Sequence, residues 1–229
     1  MPASRVAAGV LTVILAEAEL ELVPESIAGH PAVRVSARDQ KRNPGEILLD
    51  QNVHWQAVKP LPESARRGRP DIVQMCLLTL LESPLNKMGQ LSVVVHTRNN
   101  ELIRIKPDTR LPRGEARFQG LFAKVLRDGR SHDKESLVWV EGTGEPRAIL
   151  DQVAKGPVVR LDETGNTATP AQLAARGRDL TVVLGAFPSG GFGQAWKNAV
   201  PDVVSIWPEP LVAWAVAAEL VAGCRAAWS

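Results

Sequence analysis

The residues in this chain best suited to chemistry are glycines, arginines and scattered carboxylates, and their spacing limits what they can do. The four histidines, His30, His54, His96 and His132, fall in four separate segments with no ligand spacing to a second His, Cys or carboxylate, so no metal centre is expected. The two cysteines, Cys76 and Cys224, lie far apart, which argues against a disulfide framework and against a structural zinc site. Cys76 sits inside an apolar run, a poor setting for a nucleophile. No Gly-x-Ser-x-Gly elbow is present. The run Gly185-Ala-Phe-Pro-Ser-Gly190-Gly191 follows the strongest strand candidate, yet it lacks the Lys-Ser/Thr of a Walker loop and is not Gly-x-Gly-x-x-Gly. Alone, it is either a small-ligand loop at the carboxyl end of a parallel strand or a plain turn.

The arginines are more pointed. They outnumber lysines 19 to 8, and between Arg98 and Arg130 nine Lys/Arg stand against four Asp/Glu. That local excess of +5 sits in a chain of net +2, leaving about −3 elsewhere. A basic middle in a slightly acidic protein suggests a polyanion site, and arginine is the better residue for forked contacts to phosphate. Arg113 and Arg117 share one face if a helix begins near residue 114. Like charges at that spacing repel by a few tenths of a kcal/mol, a penalty that a polyanion would remove. A solvated face is the plain alternative.

These residues need a scaffold, and 229 residues with 45% hydrophobic and 23% charged content can build one. Disorder, collagen and a coiled-coil rod are excluded by composition, and no apolar run reaches the length of a membrane span. Val10 to Leu15 reads as a buried strand that passes into the alternation Ala18-Glu19-Leu20-Glu21-Leu22. The same region imitates a secretory signal, but Arg5 alone makes a weak basic region. The expectation is a cytoplasmic protein with reduced thiols. Residues 24–46 read as loop with short extended pieces, and Ile47 to Leu49 as a brief apolar stretch ending at Asp50. His54 to Val58 reads as a short helical turn, and Pro60 to Arg69 as a basic linker. Pro70 to Leu81 reads as a helix with Pro at its first position, stopped by Ser83-Pro84. Leu91 to His96 and Glu101 to Ile105 read as a hairpin around Asn99-Asn100, and Phe118 to Leu126 as an amphipathic helix. Leu137 to Val140, Ala148 to Leu150, Val158-Val159 and Leu180 to Leu184 are strand candidates, the last continuously apolar as in a covered parallel sheet. Pro210 to Ala227 reads as a long apolar helix.

A set of longer motifs now stands out. Arg69-Pro-Asp-Ile-Val-Gln-Met-Cys-Leu-Leu, Glu82-Ser-Pro-Leu-Asn-Lys87, Val95-His-Thr97, Thr109-Arg-Leu-Pro-Arg113 and Arg117-Phe118 resemble the ribosome-biogenesis family of rRNA pseudouridine N1-methyltransferases, within the SPOUT superfamily. Leu184-Gly-Ala-Phe-Pro-Ser-Gly190, Val204-Ser-Ile206 and Pro210-Leu211 resemble that family's cofactor loops. The likeness runs from about Leu48 to the end of the chain, and the lack of a long N-terminal extension looks more like an archaeal member than a eukaryotic one.

The resemblance implies an α/β SPOUT-type fold with a C-terminal trefoil knot, a mostly parallel sheet flanked by helices, and a family-specific insertion. It implies one domain over 1–229, with a basic RNA-binding segment at about 59–130 and a cofactor knot at about 147–229. It further implies a homodimer that binds S-adenosyl-L-methionine, methylates N1 of a pseudouridine in small-subunit rRNA and assists small-subunit assembly, with a small-subunit ribosomal protein as a further partner and no membrane. By position, Gly185, Gly190, Val204, Ser205, Ile206, Trp207, Pro210 and Leu211 would line the cofactor, and Leu150 to Gln152 would end a strand beside it. Arg69, Arg110, Arg113 and Arg117 would contact RNA. Asp50 and Asp71 are candidates for orienting the base edge, although Asp71 also suits an ion pair or a helix cap. Trp207-Pro208-Glu209 departs from the family's small polar residues there. With no tyrosine in the chain, Phe118, Trp55 or Phe187 would have to stack on a base. The competing readings are a SPOUT methyltransferase for another RNA, a non-catalytic rRNA-binding assembly factor, and a small-ligand enzyme, the last disfavoured by the basic middle.

Overall fold

The computed structural model describes residues 9–129 and 135–228. Arg5, Arg130 and His132 lie outside them. Seven strands form one sheet: β1 (Leu11–Ala18), β2 (Leu91–Thr97), β3 (Glu101–Ile105), β4 (Val138–Thr143), β5 (Val158–Thr167), β6 (Leu180–Gly185) and β7 (Val203–Ser205). Their order is β4-β3-β2-β1-β6-β5-β7. Among these strands only β3 runs opposite to the rest, pairing antiparallel with β2 and β4 while every other pairing is parallel. This is the mostly parallel α/β architecture expected from the sequence.

The central strands are buried on both faces, which is why they read as unbroken Val/Ile/Leu runs. Val13, Leu15, Val93, Val95, Val182 and Leu184 point to one face. There they meet helices α3 (Pro70–Leu81), α5 (Glu115–Asp128), α7 (Pro170–Ala174) and α9 (Ala213–Trp228). Ile14, Ala16, Val94 and Val183 point to the other, covered by α6 (Pro146–Val153) and α8 (Gln194–Ala199). Short α4 (Pro84–Lys87) follows α3 after the Ser83 cap. Five of the nine described α-helices, α1 (Pro31–Asp39) among them, open with Pro at their first or second position, where its missing N–H costs nothing.

Three expectations fail. Residues 24–46 are not all loop: they carry α1, capped by His30, which packs with α2 (Gln51–Val58) around Val33, Ala37, Ala57 and Val58. The Val33–Ala37 pair at i, i+4 is too brief a stripe to stand out among Arg, Ser and Asp. Ala148 to Leu150 is helix, not strand, because Pro146, Ile149, Leu150 and Val153 bury one side at helical spacing. The last helix begins at Ala213, which leaves Pro210 and Leu211 in the preceding loop. No helix among the described residues is long and apolar enough to cross a membrane.

Candidate functional site

The middle of β5, where its pairing with β6 ends, the carboxyl ends of β6 and β7 and the start of α9 enclose a cleft of about 370 Å³, within the range of small-ligand sites. Eight of the nine residues expected at a cofactor line it: Gly185 and Gly190 on the β6 loop, and Val204, Ser205, Ile206, Trp207, Pro210 and Leu211 on the β7 loop. Gln152 does not. It lies exposed on α6, and the helix replaces the strand end it was meant to occupy.

Among the lining residues not expected at a cofactor are three carboxylates, Asp162 and Glu163 on β5 and Glu209 on the β7 loop. The signal that could have found the first two is their place on a parallel strand, where open α/β sheets gather ligands. Among the described residues no Lys, Arg or His lines the cleft. Asp162 accepts hydrogen bonds from the Thr164 amide (3.0 Å) and hydroxyl (2.6 Å). Burial alone would raise its pKa, but these bonds and the nearby Arg160 hold it below the usual carboxylate range. A cleft lined by three carboxylates, apolar side chains and backbone, with no basic side chain among the described lining residues, suits a ligand carrying positive charge and disfavours a phosphate. The loop itself needs its glycines. Gly190 and Gly191 have φ of +90° and +67°, left-handed conformations that cost other residues energy.

The arginines divide. Arg110, Arg113 and Arg117 are exposed and form no ion pair among the described residues. Arg113 precedes α5, whose cap is Gly114, so it does not share a helical face with Arg117 as expected. Arg98, at the start of the basic stretch, is spent on Glu19 (2.6 Å), Glu63 (3.0 Å) and Glu21 (3.6 Å). Arg104 pairs with Glu141, and Arg127 with Asp128. Pro60 to Arg69 is no free linker either, since Arg66 and Arg67 pair with the glutamates of the β1 end.

Arg69 gives two hydrogen bonds, of 2.8 and 2.7 Å, to Asp71. Asp71 is therefore an ion-pair partner in the first turn of α3, and it does not line the cleft. Asp50 is buried at the start of α2, accepting from the Asn52 amide (2.9 Å) and the Gln119 amide group (2.7 Å). With both oxygens engaged and no place in the cleft, it is a cap and a tie between α2 and α5. Glu115 sits close enough to Asp50 and Asp71 that burial and these like charges raise its pKa. Of the stacking candidates, Phe118 is fully buried and cannot meet a base. Trp55 is half exposed beneath Lys59, and Phe187 lines the cleft.

Comparison with known proteins agrees with this geometry. The family model described as EMG1/NEP1 methyltransferase matches residues 13–225. The chain belongs to this family. It is 43% identical to a protein named ribosomal RNA small subunit methyltransferase Nep1 from Thermococcus kodakarensis, over 95% of this chain and 98% of the relative. The likeness to the protein of that name from Methanothrix thermoacetophila is 38%, over 92% and 93%. The crystal structure of Archaeoglobus fulgidus Nep1 bound to S-adenosylhomocysteine superposes with a TM-score of 0.84 at 35% identity, covering 96% of this chain and 98% of that one.

Proposed function

We propose that the chain transfers a methyl group from S-adenosyl-L-methionine to N1 of a pseudouridine in small-subunit rRNA, and that it serves small-subunit assembly. The observation that carries this reading is the cleft with three carboxylates and, among the described residues, no basic side chain, while Arg110, Arg113 and Arg117 are exposed elsewhere. The residues fit the cofactor. Asp162, Glu163 and Glu209 favour a cationic ligand, Leu161, Leu184 and Ile206 offer apolar surface, and the β7 loop offers backbone groups. When bound, the cofactor would supply a methyl group on a positively charged sulfur.

For such a displacement the chain's main work is positioning. Arg110, Arg113 and Arg117 would hold phosphates, which sets the register of the RNA, while an extruded base supplies specificity. Pseudouridine presents a free N1–H, whereas uridine has its N1 bonded to the sugar. Asp50 and Asp71, the base candidates from the sequence, are engaged elsewhere, so the N1 proton would leave to water or to a backbone acceptor. The RNA face would then lie within about 59–130 and the cofactor site within about 147–229. The family resemblance supports a homodimer working in the cytoplasm. Exposed Leu211 and Val212 and buried, unpaired Cys76 and Cys224 suit that reading.

The test uses two short rRNA-like hairpins, one with pseudouridine and one with uridine, incubated with methyl-labelled S-adenosylmethionine. Label in the pseudouridine hairpin alone is the expected result. Label in the uridine hairpin overturns the N1 assignment. No label in either, with cofactor and RNA both bound, favours a non-catalytic assembly factor.

A further inference from the structure

Three glutamates stand at alternate positions at the end of β1 and just after it, Glu17, Glu19 and Glu21. Glu17 holds a φ of +48°, a conformation seldom adopted outside glycine, Asn and Asp. What it gains is contact with the glycine loop of the cleft. One of its carboxylate oxygens accepts from the Gly193 amide at 2.8 Å, and the other accepts from the Arg66 guanidinium at 2.8 Å. Arg66 reaches the same loop twice more. It donates to the Gly191 carbonyl at 2.9 Å, and its guanidinium lies 4.1 Å over the Phe187 ring. Its Nε donates to Glu19 at 3.3 Å. The pair is mostly buried, with 15% and 17% of the two side chains exposed.

One ion pair thus holds the loop at Phe187, Gly191 and Gly193. Phe187 and Gly191 line the cleft, whereas Glu17 and Arg66 do not. We propose that the Glu17–Arg66 pair is the positioning device of the glycine loop, setting the affinity of the cleft for the S-adenosyl ligand without touching it. The inference rests on the methyl-donor reading above. A loop with two left-handed glycines is costly to order, and any ordering left until ligand arrives is subtracted from affinity. Holding the loop in advance removes that loss. Lysine cannot take over, because Arg66 uses Nε, both terminal nitrogens and its flat face at once.

The experiment compares full-length wild type with Arg66→Lys and Glu17→Gln. Three quantities are read: the Kd for S-adenosylhomocysteine by calorimetry, the Kd for the pseudouridine hairpin by anisotropy, and the melting temperature without ligand. Arg66→Lys keeps the charge beside Glu17 and Glu19, and Glu17→Gln keeps an acceptor for Gly193, so both variants are chosen to fold. The expected result is a rise of about tenfold or more in the S-adenosylhomocysteine Kd for Arg66→Lys. Glu17→Gln should show a smaller rise, and RNA affinity should stay within about twofold. Wild-type binding with an unchanged Kd in both variants overturns the inference and leaves the methyl-donor reading standing. Loss of cofactor and RNA affinity in proportion to a fall in melting temperature also overturns it, showing a general structural role. Failure of the wild type itself to bind S-adenosylhomocysteine overturns both readings.

Discussion

The ring of Phe187 stands where a β-carbon on Gly185 would have to go: the two would approach to 2.6 Å. Gly185→Ala must therefore push the ring aside, and the ring is part of the cleft wall. The expected outcome is at least about a tenfold loss of S-adenosylhomocysteine affinity, with a change of only a few degrees in melting temperature. Calorimetry and a circular-dichroism melt give the two numbers. An unchanged Kd would mean that the ring swings away freely.

Arg110, Arg113 and Arg117 are exposed, so their removal should cost little stability, within about 0.5 kcal/mol. Each change to Ala should weaken hairpin binding and flatten the plot of log K against log salt by about one unit per lost phosphate contact. Cofactor affinity should not move. An unchanged salt slope for all three would place the RNA elsewhere.

Asp71 and Asp50 should respond as structural residues. Asp71→Ala strands Arg69 and removes the only acidic residue in the first turn of α3, at a cost of about 1–2 kcal/mol. Asp50→Ala removes the α2 cap and the Gln119 tie, at about 1–3 kcal/mol. Urea titration measures both. Cofactor Kd should stay at the wild-type value, and a large rise for Asp50→Ala would return that residue to the site.

Acid should destabilise the fold through two imidazoles. Burial, despite nearby carboxylates, pushes His54 and His96 below the ordinary imidazole range. The unfolded chain therefore takes up these protons first as the pH falls. The stability that the neutral rings contribute is complete above an unfolded pKa of about 6.5 and is lost as the pH drops through the folded values. His96 is held neutral between the Trp196 indole N–H (3.3 Å) and the Gly144 carbonyl (3.0 Å). Wild type should lose more melting temperature between about pH 7.5 and 5.5 than His96→Gln does. Equal losses would remove His96 from the account.

The sequence made the central sheet legible because its strands are apolar on both faces. It made α3 legible because Pro70 and Ser83-Pro84 mark its ends. The loops that line the cleft are legible through a long motif. What stayed hidden depends on partners far along the chain. The alternating glutamates after β1 look solvent-facing in sequence, yet Glu19 and Glu21 are 1% and 2% exposed. They are neutralised by Arg66, Arg67 and Arg98, more than forty residues away. For the same reason the basic middle looks more cationic in sequence than it is in the fold. Asp162 and Glu163 carry no local signature; their place follows from the pairing of β5 with β6 and β7.

The position of β1 has a consequence for synthesis. Val10 is tied to the side chain of Asp179 across 169 residues, and β1 joins β6 from Leu11 to Ala16. A nascent chain can pair β1 with β2 early, but the other edge stays open until the last third has been made. An unpaired parallel strand rich in Val, Leu and Ile invites wrong partners, and so distant a pairing closes slowly. The cleft itself draws on β5, β6, β7 and α9. A chain released before about residue 216 would therefore hold the exposed arginines but no complete pocket, and ligand binding should report the last stage of folding.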